Sequence, residues 1–365
     1  MNRSGKRPAI LLAVPRMNIG GSETYVFTVA LGLKKLGYEV HIASAGGQLI
    51  KPLQEQGIKH HFVPIRLNAS LAAYMLRKII QHENISLIHA NSAAAGIAAV
   101  KAKRKCHIPL IYTAHGVFGH TPKELTLNEC DKIICVSEFV KKYAIEKGFS
   151  PKKLQVAYTG IDLQKFQSDV DQGRLLRQQL NIPQDAFTLA LVARIKNLTN
   201  KGHADMLQVF EEHAAAKKWH LIVIGKGQGL GKLQSLIKQK NMPAQIHCVG
   251  HQTNVAAYLN AVDAVVLPSQ LETFGLVLAE GMAMAKPAIA YDVGGTSEVI
   301  IEAKTGFLVP LHDTKVLYQK IKELADDREF CRQMGYQGRK YVEAHFSCQQ
   351  MIDELQLIYK PFIKD

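Results

Sequence analysis

Residues 269–287, SQLETFGLVLAEGMAMAKP, decide how the rest of the chain is read. The aliphatic run DAVVLP (263–268) leads directly into them and PAIAY (287–291) leads out. A helical stretch between two short aliphatic strands is a βαβ unit, the building block of a parallel sheet. Inside this small-residue, apolar helix stand two acids eight positions apart, Glu272 and Glu280. A carboxylate in such surroundings needs hydrogen-bond donors, and vicinal hydroxyls of a sugar or ribose supply two at once, although a neighbouring loop's N–H groups would also serve Glu280. The helix is expected to begin at Thr273 or Phe274. Glu272 would then lie on the loop at the strand's carboxyl end, with Glu280 two turns into the helix. The amides of Phe274, Gly275 and Leu276 would form the helix N-terminus, an end that favours phosphate.

The same alternation runs through both halves. AILLAV, EVHIAS, KHHFVP, SLIHA, PLIYTAHG and KIICVS read as strands in the first, with SETYVFTVALGLKKLG and SLAAYMLRKIIQHE as helices between them. After a polar lapse at AYTGIDLQKFQSDVDQGR the series resumes with FTLALVAR, WHLIVIG, QIHCVG, DAVVLP and PAIAY, interleaved with HADMLQVFEEHAAAKK and NVAAYLNAV. The expected fold class is therefore α/β, with two Rossmann-like, doubly wound parallel-sheet domains facing across a cleft. Residues 1–168 would form one domain and 169–346 the other, with an amphipathic helix at 347–365 returning toward the first.

A chain of 365 residues with 47% hydrophobic content agrees with two cores and with an ordered chain. Its apolar runs are far shorter than the roughly 20 residues of a membrane-spanning helix. The start, MNRSGKRPAILLAVPR, reads as a strand and not a leader, because its apolar part is strand-length and lacks a small-residue cleavage site. Six scattered cysteines without metal-ligand spacing suggest free thiols in a reducing cytoplasm. The net charge of +14 is unevenly placed: residues 1–165 hold 23 Lys and Arg against 10 acids, and the remainder is nearly balanced. That basic half suits an anionic membrane surface or an acidic substrate, and nucleic acid less specifically.

Three loops could meet an anion. PRMNIGGSETYV puts Gly20 and Gly21 between a strand and a helix N-terminus, although a tight turn capped by Ser22 has the same pattern. VARIKNLTNKGH carries Arg194 and Lys201 from a strand end to the next helix, two cations suited to a diphosphate. VIGKGQG (223–229) lacks the G-x-G-x-x-G spacing of a dinucleotide site. The single D-x-D, Asp169 to Asp171, lies in the polar linker and makes a poor metal site.

Together GGSETYV, TAHG (113–116), YTGIDLQKF, ARIKNLTNKG and the E-x7-E element followed by GG and TGFLV resemble the retaining glycosyltransferases of family 4, which have the GT-B fold. The resemblance spans essentially the whole chain. It implies transfer of a hexose or N-acetylhexosamine from a nucleotide diphosphate sugar, commonly UDP-linked, with retention and with no metal or other cofactor. By position, Arg194 and Lys201 match the pair that neutralises the diphosphate, and Glu272 the contact to the donor sugar. Glu280 matches the ribose ligand, Gly20 and Gly21 a diphosphate contact, and His115 a histidine near the reacting centre. The CVGHQ loop at Gly250 would contact the base. Two departures stand out: Thr159 precedes Gly160 where Asn is usual, and the long Arg194–Lys201 spacing leaves Lys196 as a substitute. The implied acceptor is a cell-envelope glycan or a lipid-linked one, handled in the cytoplasm by a protein peripheral on the membrane's inner face. A soluble acceptor is the alternative; a nucleotide-sugar epimerase or a non-catalytic binding module fits the motifs less well.

Overall fold

The computed structural model describes residues 8–213, 218–242 and 244–363. It divides into two compact units, residues 1–160 with 348–365, and residues 161–347.

Among the described residues of the first unit, seven parallel strands form one sheet: β1 (Ala9–Ala13), β2 (Glu39–Ser44), β3 (Lys59–Phe62), β4 (Ile85–Ala90), β5 (Leu110–Ala114), β6 (Lys132–Cys135) and β7 (Leu154–Val156). Their order is β3-β2-β1-β4-β5-β6-β7. The second unit has six: β8 (Phe187–Val192), β9 (Trp219–Ile224), β10 (Ile246–Gly250), β11 (Ala264–Leu267), β12 (Ala288–Tyr291) and β13 (Gly306–Val309), in the order β10-β9-β8-β11-β12-β13. β1, β5, β9, β11 and β12 are buried along their whole length. Helices covering both faces of a parallel sheet demand such continuous apolar strands, which is why the sequence shows short aliphatic runs with no polar alternation.

Every strand expected from sequence forms, and β7 and β13 are additional. The helix His203–His213 begins as expected, while 214–217 of that stretch, like the basic residues 1–7, lie outside the described residues. The division falls after Gly160 instead of after Ser168. The reason is that Ile161 N–H donates to Phe346 O at 2.7 Å and Arg339 Nη1 to Phe166 O at 2.7 Å, tying that segment to the second unit.

The last helix, Cys348–Tyr359, is part of the first unit. Met351, Ile352, Leu355, Ile358 and Tyr359 are buried in one core with Val26, Val29 and Leu33 of the Gly21–Lys35 helix. Gly32 permits the close approach: a Cβ there would stand 2.5 Å from Ile352 Cδ1. Among the described residues no helix is long and apolar enough to cross a membrane.

Candidate active site

In each sheet the strand order reverses once, between β1 and β4 and between β8 and β11. Loops leaving the carboxyl ends of those neighbours run to opposite faces, and the opening between them is where ligands of open α/β sheets bind. Of the residues singled out from sequence, Gly20, Gly21, Arg194, Lys201 and Glu272 lie on loops or helix starts that follow β1, β8 and β11 at these reversals, while Gly250 ends the edge strand β10.

In the second unit Arg194 follows β8 and is exposed, making no ion pair among the described residues. Its loop is pinned from the side by Ala193 N–H to Ile224 O at 3.0 Å and Ile195 N–H to Lys226 O at 3.1 Å. The glycines of VIGKGQG explain themselves here. A Cβ at Gly225 would fall 1.9 Å from Ala193 O and one at Gly227 2.2 Å from Ile195 O, so only glycine lets the two loops touch. Gly250 ends the edge strand β10, and its carbonyl accepts from Gly225 N–H at 2.8 Å.

Gly202 has φ +68°, and a Cβ there would lie 2.1 Å from Pro268 O just after β11. This approach brings Lys201, from the β8 loop, to Glu272, from the β11 loop, with Nζ 2.5 Å from Oε1. Ser269 Oγ donates to the same oxygen at 2.8 Å. The Glu272 side chain is 12% exposed and that of Lys201 30%. Among the described residues Oε2 of Glu272 has no hydrogen bond, so one carboxylate oxygen is fixed and the other is available to a hydroxyl. Lys196 is exposed on the same loop and makes no ion pair among the described residues.

The following helix starts at Leu276, later than expected, because Gly275 adopts φ +88° and holds the chain in a left-handed turn ahead of it. Phe274 and Gly275 therefore belong to the turn, with the Phe274 ring packed edge-on against Phe346 at 5.3 Å. No side chain caps this helix, which leaves its first amides directed toward the loop. Gly295 N–H binds Glu272 O at 2.9 Å, so the downstream GG pair buttresses the same turn. Glu280 is of intermediate surface exposure as a residue, yet its carboxyl is enclosed deeply enough that desolvation raises it to about 7, with the Lys165 charge pulling the other way.

In the first unit His115 follows β5. Its ring meets Tyr25 edge-on at 4.7 Å, and Nε2 lies 3.4 Å from Asn91 Oδ1 after β4. Burial lowers its pKa to about 4, so the imidazole is neutral near pH 7. Beneath it, buried His89 bonds Thr113 Oγ1 and Tyr359 OH, each at 2.6 Å, and Tyr25 OH reaches Thr113 Oγ1 at 3.4 Å. Gly20 and Gly21 stand at the N-terminus of the Gly21–Lys35 helix as expected. Ser22 does not cap it but donates to Glu23 Oε2 at 2.8 Å, and a Cβ at Gly20 would lie 2.6 Å from that oxygen. The Glu23 carboxylate thus lies beside this helix end without capping it.

Asp169 of the D-x-D is a helix cap, accepting from Gln172 N–H at 2.9 Å, and Asp171 pairs with Arg174. One cluster with metal-like spacing, His41, His61 and Glu83, escaped sequence reading because its members come from separate elements. Within it His41 Nδ1 bonds His61 Nε2 at 3.0 Å and the Lys59 ammonium lies 2.7 Å from Glu83, while the buried His41 Nε2 makes no hydrogen bond and stands 3.3 Å from Glu39 Oε1. Ser269, Asn91 and Tyr25 were likewise missed as site residues. Their only sequence signal is position just beyond a strand or inside the first helix.

The family model described as glycosyl transferases group 1 matches residues 173–341, and that of glycosyltransferase family 4 matches residues 19–165. The chain is 26% identical to the N-acetyl-alpha-D-glucosaminyl L-malate synthase of Bacillus anthracis, over 95% of this chain and 96% of that one. It is 26% identical to CapM, a capsular polysaccharide biosynthesis glycosyltransferase of Staphylococcus aureus, over 91% and 92%. In fold it is similar to Anabaena HepE, solved in complex with UDP and glucose, with TM-score 0.86 at 20% identity over 96% of this chain and 99% of that one. Matched on each of its two units and along nearly its whole length, the chain belongs to the family 4, or group 1, glycosyltransferases, whose GT-B fold its two sheets build.

Proposed function

We propose that the protein transfers a hexose or N-acetylhexosamine from a UDP-sugar, with retention of anomeric configuration, to a cell-envelope glycan or lipid-linked acceptor at the cytoplasmic face of the membrane. The observation that carries this reading is the pairing of Lys201 with Glu272, and the placing of Arg194, on the loops of adjacent β8 and β11. Cleavage of the sugar–phosphate bond builds negative charge on the departing diphosphate. Fixed cations at Arg194 and Lys201 stabilise that charge more in the transition state than in the ground state, so they speed the reaction as well as binding donor. This serves the leaving group without a metal, and the D-x-D is engaged elsewhere as a cap. The open oxygen of Glu272 accepts from a sugar hydroxyl and Glu280 from the ribose. His115, uncharged, can hydrogen-bond the sugar without repelling an oxocarbenium-like centre.

Retention follows same-face attack. The acceptor oxygen bonds to the anomeric carbon as the sugar–phosphate bond breaks, and a phosphate oxygen of the leaving UDP takes the acceptor's proton. A soluble acceptor is the second reading, favoured by the likeness to a protein named N-acetyl-alpha-D-glucosaminyl L-malate synthase.

The test is a thermal-shift screen over UDP-, GDP- and ADP-sugars, since a ligand that binds only the folded state raises its stability. UDP-sugars alone are expected to shift the transition, and the active one should then label a polyprenyl-diphosphate glycan in a transfer assay. A shift by GDP- or ADP-sugars only would reject the UDP assignment. Labelling of small hydroxy acids in place of the lipid-linked glycan would select the second reading.

A further inference from the structure

One face of the first unit lies outside the loops assigned to the donor. It is built by the Ala69–His82 helix and the Ala93–Cys106 helix, which pack side by side. From Gln56 to Lys123 the chain has nine lysines and arginines and one acid, Glu83, which Lys59 meets at 2.7 Å; Lys103 and Arg104 are paired with Asp131 and Glu129 from the next segment, and among the described residues Arg77, Lys78 and Lys105 have no ion-pair partner.

The Ala69–His82 helix buries Ala72, Ala73, Leu76, Ile79 and Ile80. Leu67, just ahead of it, and Leu71, Tyr74, Lys78 and Gln81 recur at helical spacing on the opposite side and form one outward stripe. The apolar members are strongly exposed: Leu67 78%, Leu71 44% and Tyr74 50%, with Phe62 at the end of β3 at 62%. The Arg77 guanidinium and the Lys78 ammonium each lie 5.7 Å from the Tyr74 ring centre. Between the two helices a cavity of about 230 Å³ is lined by Tyr74, Arg77, Lys78, Gln81, Lys105 and Cys106, without an acid among them.

A surface serving solubility alone mixes both signs of charge and exposes few leucines and aromatics. Here large apolar side chains stand beside unopposed cations. That combination matches a bilayer interface, where apolar groups enter between headgroups and cations meet lipid phosphates. Nucleic acid would answer the cations and leave the leucines without a partner.

We propose that this face docks the protein on an anionic phospholipid surface, with Leu67, Leu71 and Tyr74 entering the headgroup layer and Arg77, Lys78 and Lys105 holding a lipid phosphate. The inference rests on the reading that the acceptor is presented at a membrane, and it deepens that reading by naming the surface.

The full-length protein is sedimented with vesicles of phosphatidylcholine alone and of phosphatidylcholine mixed with phosphatidylglycerol. Binding is expected only to the mixed vesicles and should weaken steeply as salt rises. The variant Arg77→Gln/Lys78→Gln/Lys105→Gln should lose about 100-fold in vesicle affinity. Leu71→Ser/Tyr74→Ser should weaken binding while keeping the salt dependence. Both alter exposed or partly exposed side chains outside the donor loops, so the thermal shift by UDP-sugar should stay unchanged and report an intact fold. Equal binding to neutral vesicles, absence of binding, wild-type affinity in both variants, or tighter retention on duplex RNA than on vesicles would overturn the proposal. Transfer from UDP-sugar without vesicle affinity would reject this surface and leave the transferase reading standing. Vesicle binding without any UDP-sugar shift would do the reverse.

Discussion

Lys201 and Glu272 were expected to serve different parts of a donor, and the structure joins them as a partly buried ion pair. Each therefore positions the other. Lys201→Ala removes a cation from the leaving group and also strands a largely covered carboxylate. It should lower kcat by about 10²–10³-fold and stability by about 1–2 kcal/mol. Glu272→Ala/Lys201→Ala should be less destabilised than the sum of the single variants, which a double-mutant cycle of urea unfolding would measure; strict additivity would mean the pair contributes nothing. Glu280 makes a prediction about pH. Its carboxyl is raised from 4.5 to about 7, so between those values the folded state keeps a proton that the unfolded chain has released. Stability should therefore fall as pH rises from about 4.5 to about 7. Glu280→Gln should flatten that slope and be the more stable form above pH 7, by on the order of 2 kcal/mol or less. Urea midpoints at about pH 5 and about pH 8 would show it, and the variant should bind donor more weakly at both. The acids and cations of the site were legible in sequence because their chemistry is conspicuous in an apolar run. Ser269 and Asn91 were not, since a polar residue after a strand acquires meaning only from the side chain opposite.

At the level of elements, the site depends on glycines that hold loops together. VIGKGQG first reads as a failed nucleotide fingerprint; the structure makes it a close-packed support for the Arg194 loop. Gly202 has the larger part, because its left-handed backbone and its contact with Pro268 O set where Lys201 begins. Gly202→Ala should destabilise by about 2 kcal/mol or more, as expected for a strained φ together with a steric clash. It should also reduce transfer further than its stability loss explains, which is checked by assaying well below its midpoint temperature. Wild-type kcat in a folded Gly202→Ala protein would refute this account of how Lys201 is placed. The same element logic explains the misjudged helix start: hydrophobic spacing continues through TFGLV, but the positive φ at Gly275 delays the helix to Leu276. β7 and β13 went unrecognised because three or four residues carry little periodicity of their own.

On the scale of the whole molecule, the two units have separate cores; the cations assigned to the diphosphate and the carboxylate assigned to the ribose belong to the second, and Gly20 and Gly21 to the first. UDP alone should therefore raise the thermal transition through Arg194, Lys201 and Glu280, by about 2.7 kcal/mol at a hundredfold excess over Kd. His115→Ala, in the first unit, should keep that UDP shift while losing transfer by about 10²-fold; loss of the UDP shift as well would place His115 in nucleotide binding. The C-terminal helix is a lesson in long-range order. Its amphipathic pattern is plain in CQQMIDELQLIY, but its membership in the first unit comes from Ile352 meeting Gly32 and Tyr359 bonding His89.

Fold class, the two-sheet plan and the family were legible in the chain itself, which also singled out the charged residues of the candidate site, because strand and helix periodicities and acid-in-apolar contrasts are local properties. Only the tertiary structure decided which loops become neighbours at the reversals of strand order. It paired Lys201 with Glu272, set Glu23 at the first helix N-terminus and moved the domain boundary to Gly160. Those outcomes depend on contacts between residues far apart in sequence, and no local pattern encodes the partner.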